Sequence, residues 1–360
     1  RGGKGRSGMA PKDEDFVSDL FIASTHTPIL CFTSRGIVHR LKVWQLPLGN
    51  PQARGKALVN MLPLEAGENI SVILRMPEDE GVIDKLDIMF ATSHGGVRRN
   101  KLSDFKNIRS NGLIAMKLEE EGERLVDVKI CANDEDILLA TRRGKAIRFA
   151  ADDVRVFAGR TSTGVRGIKL GTGDEVISMS VLKHVEASAE ERAAYLKMAS
   201  RLRAAANGDE NDAGVPAGTE EASDETVADI TLPQDRFDAL AAAEQFLLTA
   251  TSKGFGKRSS AYEYRITGRG GSGIVNMGLS AKNGDVVATF PVTDDHHIML
   301  VSDGGQLIRT GVRDVRITGR GAQGVTIFRV AEDEKVISVA WLKEEEGGDD
   351  SSSDEGSEGE

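Results

Sequence analysis

The sequence predicts an all-β fold in which one four-stranded unit recurs about every fifty residues. The prediction rests on a pattern that occurs five times: an apolar run, Thr or Ser, two residues, Gly, three residues and Arg. The copies span Ile29–Arg40, Ile88–Arg99, Ile137–Arg148, Leu247–Arg258 and Ile298–Arg309. A repeat of this length indicates stacked or radial units that bury a shared core between neighbours.

Each full repeat is predicted to contain four strands. In the third copy the run ILLATR turns at Gly144 into AIRF, and after a loop GVRGIKL turns through 171–174 into EVISMSVL. Short apolar, β-branched runs between Gly and acidic turns are typical of strands. Four strands in ~50 residues match a β-propeller blade, so the units are expected to form a propeller-like disc.

Two positions of the pattern are assigned to the structure of the repeat. They are the turn glycines Gly36, Gly95, Gly144, Gly254 and Gly305, and the arginines Arg40, Arg99, Arg148, Arg258 and Arg309. An acid follows the arginine after five residues at Asp104, Asp153, Glu263 and Asp314, with Gln45 in the first repeat. This spacing predicts an ion pair or hydrogen bond within each blade, although it leaves a ligand-binding role for the arginines open.

The spacing of the repeats also predicts how the chain is divided. Arg1–Gly5 (RGGKG) matches Arg269–Gly273 inside a later repeat, so the chain is expected to begin within a partial blade of a longer protein. The turn glycines lie 59, 49, 110 and 51 residues apart, and the value of 110 contains an insertion of about 60 residues. The predicted segments are a partial and three full blades (1–183), an insertion (184–245), two further blades (246–343) and a tail (344–360).

The insertion is predicted to be helical at its ends and disordered between them. Ser188 and Glu191 match a capping box that opens an Ala- and Arg-rich helix reaching about residue 206. Residues 207–231 are acidic and poor in large apolar groups, which favours disorder, and a second helix is expected over 234–245. The tail holds nine acids and no base, so it is not expected to fold alone.

Charge is distributed unevenly along the chain. The two blade segments together hold 41 Lys and Arg against 33 Asp and Glu, whereas the insertion holds 5 against 14. The overall charge of −10 therefore conceals a repeat region with a net charge of +8. This asymmetry indicates a body that binds a polyanion and carries acidic appendages.

The sequence gives no indication of a membrane span, a disulfide framework, a metal site or a catalytic site. No run approaches the roughly 20 apolar residues of a membrane span, and no secretory signal is expected. Cys31 and Cys131 stand alone in apolar runs, which favours buried thiols in a reducing cytoplasm. No histidine has carboxylate or cysteine companions at ligand spacing, so neither a metal site nor a catalytic residue is predicted.

A glycine motif, G-x-G-x-x-G, occurs at Gly3–Gly8, Gly268–Gly273 and Gly319–Gly324. As a dinucleotide-binding fingerprint it should follow a buried strand and open a helix. Here the two internal copies recur at the repeat period and lead into strands. Loops that need positive φ or close backbone approach are therefore favoured over a nucleotide site.

Basic residues recur on one loop of each repeat and are the candidate DNA contacts. One set is Lys106, Arg155, Arg265 and Arg316, and a second is Arg54, Arg109, Arg160, Arg269 and Arg320. Radial symmetry would place them around one rim, where a ring of cations can follow a phosphate backbone; ordinary solvated charge is the alternative. Basic residues near the first turn extend the predicted surface: Lys42, Lys56, Arg98, Arg142, Arg143, Lys253 and Lys257.

The sharpest predicted site is RGGKG at the start of the chain. Its glycines would let backbone N–H groups approach a phosphate while the Arg and Lys supply charge, although a flexible linker is the alternative. Aromatic residues are 5% of the chain and are not interleaved with basic ones, and no helix clusters Arg with Asn. Duplex DNA bound through its backbone and shape is the remaining expectation.

Several stretches resemble the C-terminal domains of DNA gyrase A proteins. Arg1–Gly5 resembles most of their seven-residue box, Q-R-R-G-G-K-G, of which two residues are missing here. LCFTSRG at Leu30–Gly36, LKVWQLP at Leu41–Pro47, VNMLPL at Val59–Leu64 and VRGIKL at Val165–Leu170 are similar to the same domains. The resemblance covers the chain except the insertion and tail, and it implies a six-bladed β-pinwheel whose blades exchange a strand.

The resemblance also implies a function. Members of the family wrap duplex DNA around a basic rim with fixed handedness and present it to the DNA gate in the N-terminal part of the gyrase A protein. With the ATP-hydrolysing gyrase B protein, in an A2B2 assembly, this introduces negative supercoils, and the box maps onto Arg1, Gly2, Gly3, Lys4 and Gly5. The chain would then be a noncatalytic, cytoplasmic, nucleoid-associated part of a type IIA topoisomerase.

The same resemblance implies that this domain needs no cofactor, since ATP and Mg²⁺ belong to other parts of the enzyme, and that the isolated domain is monomeric. Two other classes stay open from the residues alone. One is a propeller that serves as a protein-interaction module with incidental DNA affinity. The other is a propeller enzyme, which would need a polar cluster at the central channel.

Overall fold

The computed structural model of the chain describes residues 23–49, 55–118, 120–207, 232–331 and 333–343. Within these ranges the strands are β1 Pro28–Thr33, β2 Ile37–Lys42, β3 Ile70–Arg75, β4 Asp87–Thr92, β5 Gly96–Lys101, β6 Leu113–Ile114, β7 Leu125–Cys131, β8 Glu135–Thr141, β9 Lys145–Ala150, β10 Val165–Arg166, β11 Val176–Lys183, β12 Phe246–Thr251, β13 Phe255–Ser260, β14 Ile274–Val275, β15 Val286–Val292, β16 His296–Ser302, β17 Leu307–Gly311, β18 Val325–Thr326 and β19 Val336–Lys343.

Helices are few in the same part of the chain. They are α1 (Glu80–Ile83), α2 (Ala189–Asn207) and α3 (Gln234–Ala243), and a 3₁₀ turn follows the second strand of each repeat. No helix among the described residues is long and apolar enough to span a membrane.

The strands form five antiparallel sheets in the described ranges, one for each copy of the sequence pattern. Their strand orders are β3-β1-β2-β6, β7-β4-β5-β10, β11-β8-β9-β14, β15-β12-β13-β18 and β19-β16-β17. In each four-stranded sheet the last strand has two residues and comes from the following repeat, as when Ile37 pairs with Ile114 and Val38 with Leu113. This is a pinwheel's strand exchange, so the predicted all-β, propeller-like fold is confirmed. The partial first blade falls in residues 1–22, outside the described ranges.

The Thr/Ser-x-x-Gly sequence forms the hairpin turn between the first two strands of each repeat. In the third repeat the Lys145 N–H donates to the Thr141 hydroxyl at 3.2 Å, and the Gly144 N–H donates to the Thr141 carbonyl at 3.1 Å. Gly144 has a φ of +75°, where a side chain is disfavoured. The hydroxyl and the glycine of the pattern therefore both serve this turn.

The same turn joins neighbouring repeats. The carbonyl of Gly144 accepts hydrogen bonds from the N–H groups of Asn276 and Met277 in the next repeat, at 2.7 and 3.3 Å. A β-carbon on Gly144 would lie 2.7 Å from the carbonyl oxygen of Met277. The carbonyls of Gly36, Gly95 and Gly254 each accept two bonds in the same way. Glycine is thus required where the exchanged segment crosses the turn.

The sheets are arranged radially. Strands β3, β7, β11, β15 and β19 contact one another in that order and form the inner edge of their sheets. The equivalent side chains Ser71, Val126, Ile177, Val287 and Ile337 line a central opening of about 490 Å³. The exchanged strands lie at the opposite edge, so these strands and the loops that precede them form the outer rim.

Apolar side chains fill the space between neighbouring sheets. Between the first and second sheets, the rings of Phe32, Phe90 and Phe105 lie with their centroids 5.7 to 6.3 Å apart, in edge-on or tilted arrangements. Pairs of this geometry contribute roughly 0.5–1.5 kcal/mol beyond the burial of their area. Each sheet therefore depends on its neighbour for part of its core.

Buried arginines also connect the repeats. Arg99 donates to the Asp87 carboxylate through Nε at 2.8 Å and Nη2 at 2.5 Å, and its Nη1 donates to the Ala151 carbonyl of the next repeat at 2.8 Å. Equivalent contacts join Arg148 to Asp136 and the Ala261 carbonyl, and Arg258 to Asp294 and the Val315 carbonyl. The guanidinium planes therefore tie one blade to the next.

These contacts overturn the predicted arginine partners. The acid five residues after the arginine was expected to pair with it. Instead, Arg99 and Arg148 pair with an acid on the first strand of their own hairpin, and Arg258 pairs with Asp294, just before the next hairpin. Asp87 and Asp136 begin or lie within the strand that pairs antiparallel with the arginine's strand, and they reach it across the ladder. Arg40 and Arg309 are exposed, so the first and fifth repeats do not bury this position.

The insertion contributes two helices that pack on the fourth sheet. The capping box is formed, since the Glu191 N–H donates to the Ser188 hydroxyl at 3.1 Å and the Ser188 N–H donates to the Glu191 carboxylate at 2.9 Å. Residues 208–231 and 344–360, which were predicted to be disordered, lie outside the described ranges.

Aromatic rings anchor these helices to the blade. Tyr195 of α2 lies 5.1 Å from the Phe237 ring of α3 and 5.3 Å from the Tyr262 ring of the 3₁₀ turn. The Tyr262 hydroxyl donates to the Leu240 carbonyl at 2.8 Å, and burial together with nearby Glu244 raises the pKa of Tyr262 to about 12. The insertion therefore covers the face that carries the 3₁₀ turns, opposite the Thr/Ser-x-x-Gly turns.

We expect Gly144→Ala to destabilise the fold more than a glycine replacement at the same φ without a contact. Gly67 is the matched control, because its φ is +76° and nothing lies within 4 Å of a β-carbon there. Backbone strain should cost about 1–2 kcal/mol in Gly67→Ala, and the added overlap should take Gly144→Ala beyond about 3 kcal/mol. Urea unfolding followed by circular dichroism measures both, and equal losses would contradict the proposed role of the turn glycine.

We expect Arg148→Met to lower the free energy of unfolding by about 3–5 kcal/mol, because it leaves the buried Asp136 carboxylate without its guanidinium partner. Asp136 is fully buried and Arg148 is 4% exposed. Arg309→Met, at the same repeat position but exposed, should change stability by less than about 0.5 kcal/mol. The same unfolding assay tests the difference. A loss of free energy of unfolding below about 1 kcal/mol in Arg148→Met would show that the Arg148–Asp136 pair is not needed for stability.

Candidate nucleic-acid interface

Exposed arginines recur in the second to fifth repeats, where one loop leads into the exchanged strand. They are Arg109, Arg155, Arg265, Arg269 and Arg316. Because the exchanged strand is the outermost strand of its sheet, these side chains follow the rim from one sheet to the next. Arg1–Gly5 and Arg54 lie outside the described residues, so their assignment to DNA stays a prediction.

Three arginines of the same loops share a contact that the sequence did not indicate; Arg269 is exposed, Arg160 is half-buried and Arg320 is buried. In three repeats the side chain donates to the backbone carbonyl of an acidic residue in the preceding repeat: Arg160 to Asp104 at 3.0 Å, Arg269 to Asp153 at 3.0 Å and Arg320 to Glu263 at 3.1 Å. A search for carboxylate partners does not reveal this tie, because the acceptor is the main chain. The contact orients each guanidinium along the seam between two blades.

Three predicted DNA contacts have buried side chains, which the sequence did not indicate. Arg98 and Lys257 are 0% exposed and Arg320 is 4% exposed. Backbone carbonyls accept hydrogen bonds from all three. A buried cation whose donors are satisfied cannot reach a phosphate without breaking the contacts that hold it.

The remaining predicted cations divide between the rim and other surfaces. Arg142 pairs with Glu175 at the central opening, where Arg124 also lies 2.7 Å from Glu175, so Arg142 is not a rim residue. Lys106 is half-buried against Asp84, and this hydrogen bond raises the pKa of Lys106. Lys42 is half-buried, and the exposed members are Lys56, Arg143 and Lys253.

A basic groove of about 490 Å³ crosses the seam between the third and fourth repeats. Arg143, Lys145 and Lys169 line it with the hydroxyls of Thr172 and Ser272. All three cations are exposed. Lys145 pairs with the exchanged strand at Val275, which places the groove on the rim.

One carboxylate also lines this groove. Asp174 accepts hydrogen bonds from the Thr141 hydroxyl at 2.7 Å and from the Arg143 N–H at 2.9 Å. These bonds hold the carboxylate within the turn, and the three cations leave the groove with a net positive charge. The groove can therefore accept an anionic oxygen, such as that of a phosphate.

Lys145 and Lys169 were not among the predicted contacts, although the repeat contains a signal for the second. Lys169 comes three residues after the exchanged strand β10, and the equivalent residues are Lys117, Gly278 and Arg329. A basic residue therefore stands at this position in three of four repeats. Aligning the exchanged strands, rather than the turn glycines, would have found it.

The arrangement suits contact with a phosphate backbone. Cations spaced along a curved edge can neutralise successive phosphates. The Arg155 guanidinium lies 4.2 Å from the Phe157 ring centroid, which fixes its plane. Among the described residues, no group of three His, Cys, Asp or Glu side chains could hold a metal ion.

A comparison with protein-family models matches the five repeats one by one. The matching model is the DNA gyrase C-terminal domain, beta-propeller, over residues 27–82, 86–132, 135–183, 245–293 and 296–340. The gap between the third and fourth matches coincides with the insertion.

Full-length relatives are much longer than this chain. The DNA gyrase A protein of Granulibacter bethesdensis is 52% identical over 357 residues, which are 98% of this chain and 38% of that protein. The DNA gyrase A protein of Rickettsia bellii is 48% identical over 344 residues, which are 96% of this chain and 37% of that protein. The chain thus spans less than two-fifths of the relatives it matches.

Solved structures share the fold at lower sequence identity. A DNA gyrase A C-terminal domain has a TM-score of 0.61 at 20% identity, covering 92% of this chain and 91% of that one. A topoisomerase IV C-terminal domain has a TM-score of 0.64 at 20% identity, covering 89% and 80%. These structures agree with the fold. The family model that matches every described repeat and the relatives at 52% and 48% identity show that the chain belongs to the family of DNA gyrase A C-terminal domains.

Proposed function

We propose that the chain binds duplex DNA without reading its sequence and wraps it with fixed handedness around the outer rim. The observation that carries the proposal is the recurrence of exposed arginines on the loops before the exchanged strands. The groove lined by Arg143, Lys145 and Lys169 adds a concave contact at the seam between the third and fourth repeats. Helices α2 and α3 pack on the face with the 3₁₀ turns and not on the rim, so base readout by a helix in a major groove has no support.

The radial arrangement supports wrapping over straight binding. A duplex that contacts only one blade needs no bend, whereas one that follows the rim must curve towards the disc. Smooth bending of a 20–30 base-pair site by 40–90° costs about 1–6 kcal/mol, which additional phosphate contacts can offset. The exchanged strand joins each of the first four described repeats to the next in the same way, so successive rim contacts are related by a similar step and a wrap of one handedness is expected.

The function of the longer protein follows from its named relatives and is part of the same proposal. We infer that this domain presents wrapped DNA to a gate in the N-terminal part of a gyrase A protein. With the gyrase B protein, in an A2B2 assembly in the bacterial cytoplasm, ATP-dependent negative supercoiling would result. The domain's own contribution is binding and bending, and the strand-cutting chemistry belongs to the other part.

Ligation of a nicked circular plasmid in the presence of increasing protein tests the wrap. We expect a shift in linking number of one sign that grows with protein, because wrapped turns are trapped when the nick is sealed. Salt-sensitive binding without a shift would mean that DNA is held but not wrapped. Weak DNA binding whose affinity does not depend on salt concentration would favour the alternative, a protein-interaction module with incidental DNA affinity.

Replacing Arg143, Lys145 and Lys169 together by Gln should lower the salt dependence of DNA binding. Each lost phosphate contact removes about 0.9 from the slope of log K against log salt, so the slope should fall by about 2–3. The control removes three cations elsewhere: Lys197 and Arg201 on α2, and Lys335 just before the inner strand β19. Filter binding over a salt series measures both, and equal slopes in the two triple variants would place the DNA away from the groove.

A further inference from the structure

The residue three positions after each turn glycine lies on the second strand of its repeat, which in the first four repeats pairs with the exchanged strand of the following repeat. The five residues are His39, Arg98, Ile147, Lys257 and Ile308. Two of them, Arg98 and Lys257, are cations with no exposed surface, although their strands lie beside the exchanged strands at the rim. Burial of a charge is costly unless its donors make hydrogen bonds. The contacts of these two side chains therefore show which groups compensate for their burial.

Arg98 is surrounded by carbonyl oxygens of its neighbours. Nη1 donates to the carbonyls of Arg160 and Ser162 at 2.5 and 2.8 Å, and Nη2 donates to the carbonyl of Ala115. Nε donates to the Asn100 side chain at 2.8 Å. Burial and the nearby Arg160 lower the pKa of Arg98 to about 10. The guanidinium thus binds two carbonyl groups of the rim loop, those of Arg160 and Ser162, from the side that faces the sheet.

Lys257 makes the equivalent contact two repeats later. Its ammonium donates to the carbonyl of Gly319 at 3.0 Å and to that of Arg320. Glu263, which accepts a bond from the Arg320 N–H at 2.5 Å, lies close enough to interact electrostatically with Lys257. Burial lowers the pKa of Lys257, Glu263 opposes that shift and Arg320 adds to it. This loop segment is therefore tied to the fourth blade through both its carbonyls and an N–H group.

These contacts decide which groups the loop turns outward. A carbonyl oxygen carries partial negative charge and would repel a phosphate, whereas N–H groups and guanidinium groups attract one. By binding the carbonyls at the inner side, Arg98 and Lys257 leave the outer side of the loops to Arg155 and Arg316. An arginine in the second repeat and a lysine in the fourth therefore bind loop carbonyls at equivalent positions.

We propose that Arg98 and Lys257 are positioning residues for DNA binding, which act by holding the rim loops 155–164 and 316–324 of the following repeats with their carbonyls turned inward. The proposal rests on the proposed function of the rim. It reassigns two cations from direct phosphate contact to support of the contact surface.

Hydrogen exchange of the loop amides tests the proposal in the absence of DNA. In Lys257→Met we expect the amides of Arg320 and Ala322 to exchange roughly tenfold faster or more, because a charged hydrogen bond to the loop is lost. Lys257→Arg should restore slow exchange, since Arg fills the equivalent position in the second repeat. Ile147→Met is the matched control and should leave the loop next to it unchanged.

DNA binding provides the second readout. Lys257→Met should raise the Kd for DNA by about fivefold or more, while Lys257→Arg stays near the wild-type value. At the equivalent position, Arg98→Met should raise the Kd in the same way and Arg98→Lys should stay near the wild-type value. Unchanged loop exchange in both Met variants would overturn the proposal, as would faster exchange spread over the whole fourth sheet, which indicates general destabilisation. If the wild-type chain does not wrap DNA, the proposed function fails, whereas the exchange data still decide whether these residues position the loops.

Discussion

The backbone hydrogen bonds at the turn glycines are the contact on which the other features depend. Each glycine in the first four described repeats accepts two N–H groups from the next repeat, and the exchanged two-residue strand comes immediately before those groups. A two-residue strand has too few ladder bonds to be stable alone. It is held because the positive φ of the glycine and the absence of a side chain let its chain cross the turn at contact distance. The radial order of the sheets follows from this repeated crossing.

Buried cations supply the second level of organisation. Arg99, Arg148 and Arg258 each join a carboxylate of one repeat region to carbonyls of the next, and Arg98 and Lys257 bind carbonyls of the neighbouring loops. Such groups stabilise little when compared with apolar residues, because desolvation offsets most of the attraction. They do make a wrong register costly, since a slipped strand would leave a charge buried without its partner. The seam between blades is thereby specified as well as filled.

The two uses of basic residues explain how a net acidic chain presents a basic edge. Some arginines and lysines are buried between neighbouring blades, where they form hydrogen bonds. Others remain exposed along the rim: Arg109, Arg155, Arg265, Arg269 and Arg316. The insertion packs through Tyr262 on the face with the 3₁₀ turns, and this location leaves the outer edge open. A duplex can therefore meet the cations without crossing the helices. DNA recognition through the backbone needs no more than this spacing of charge along a curved edge.

The sequence by itself determined the repeat, its strands, the turn glycines and the family, because these depend on local patterns that recur in register. It also identified the helix cap at Ser188, which is set within one turn of chain. Only the tertiary structure decided that Asp87 rather than Asp104 pairs with Arg99, that Lys257 is buried while Arg316 is exposed, and which two residues of each following repeat form the exchanged strand. Partners that meet through strand pairing or through backbone carbonyls have no fixed spacing in sequence, so burial and register had to be seen before the cations could be assigned.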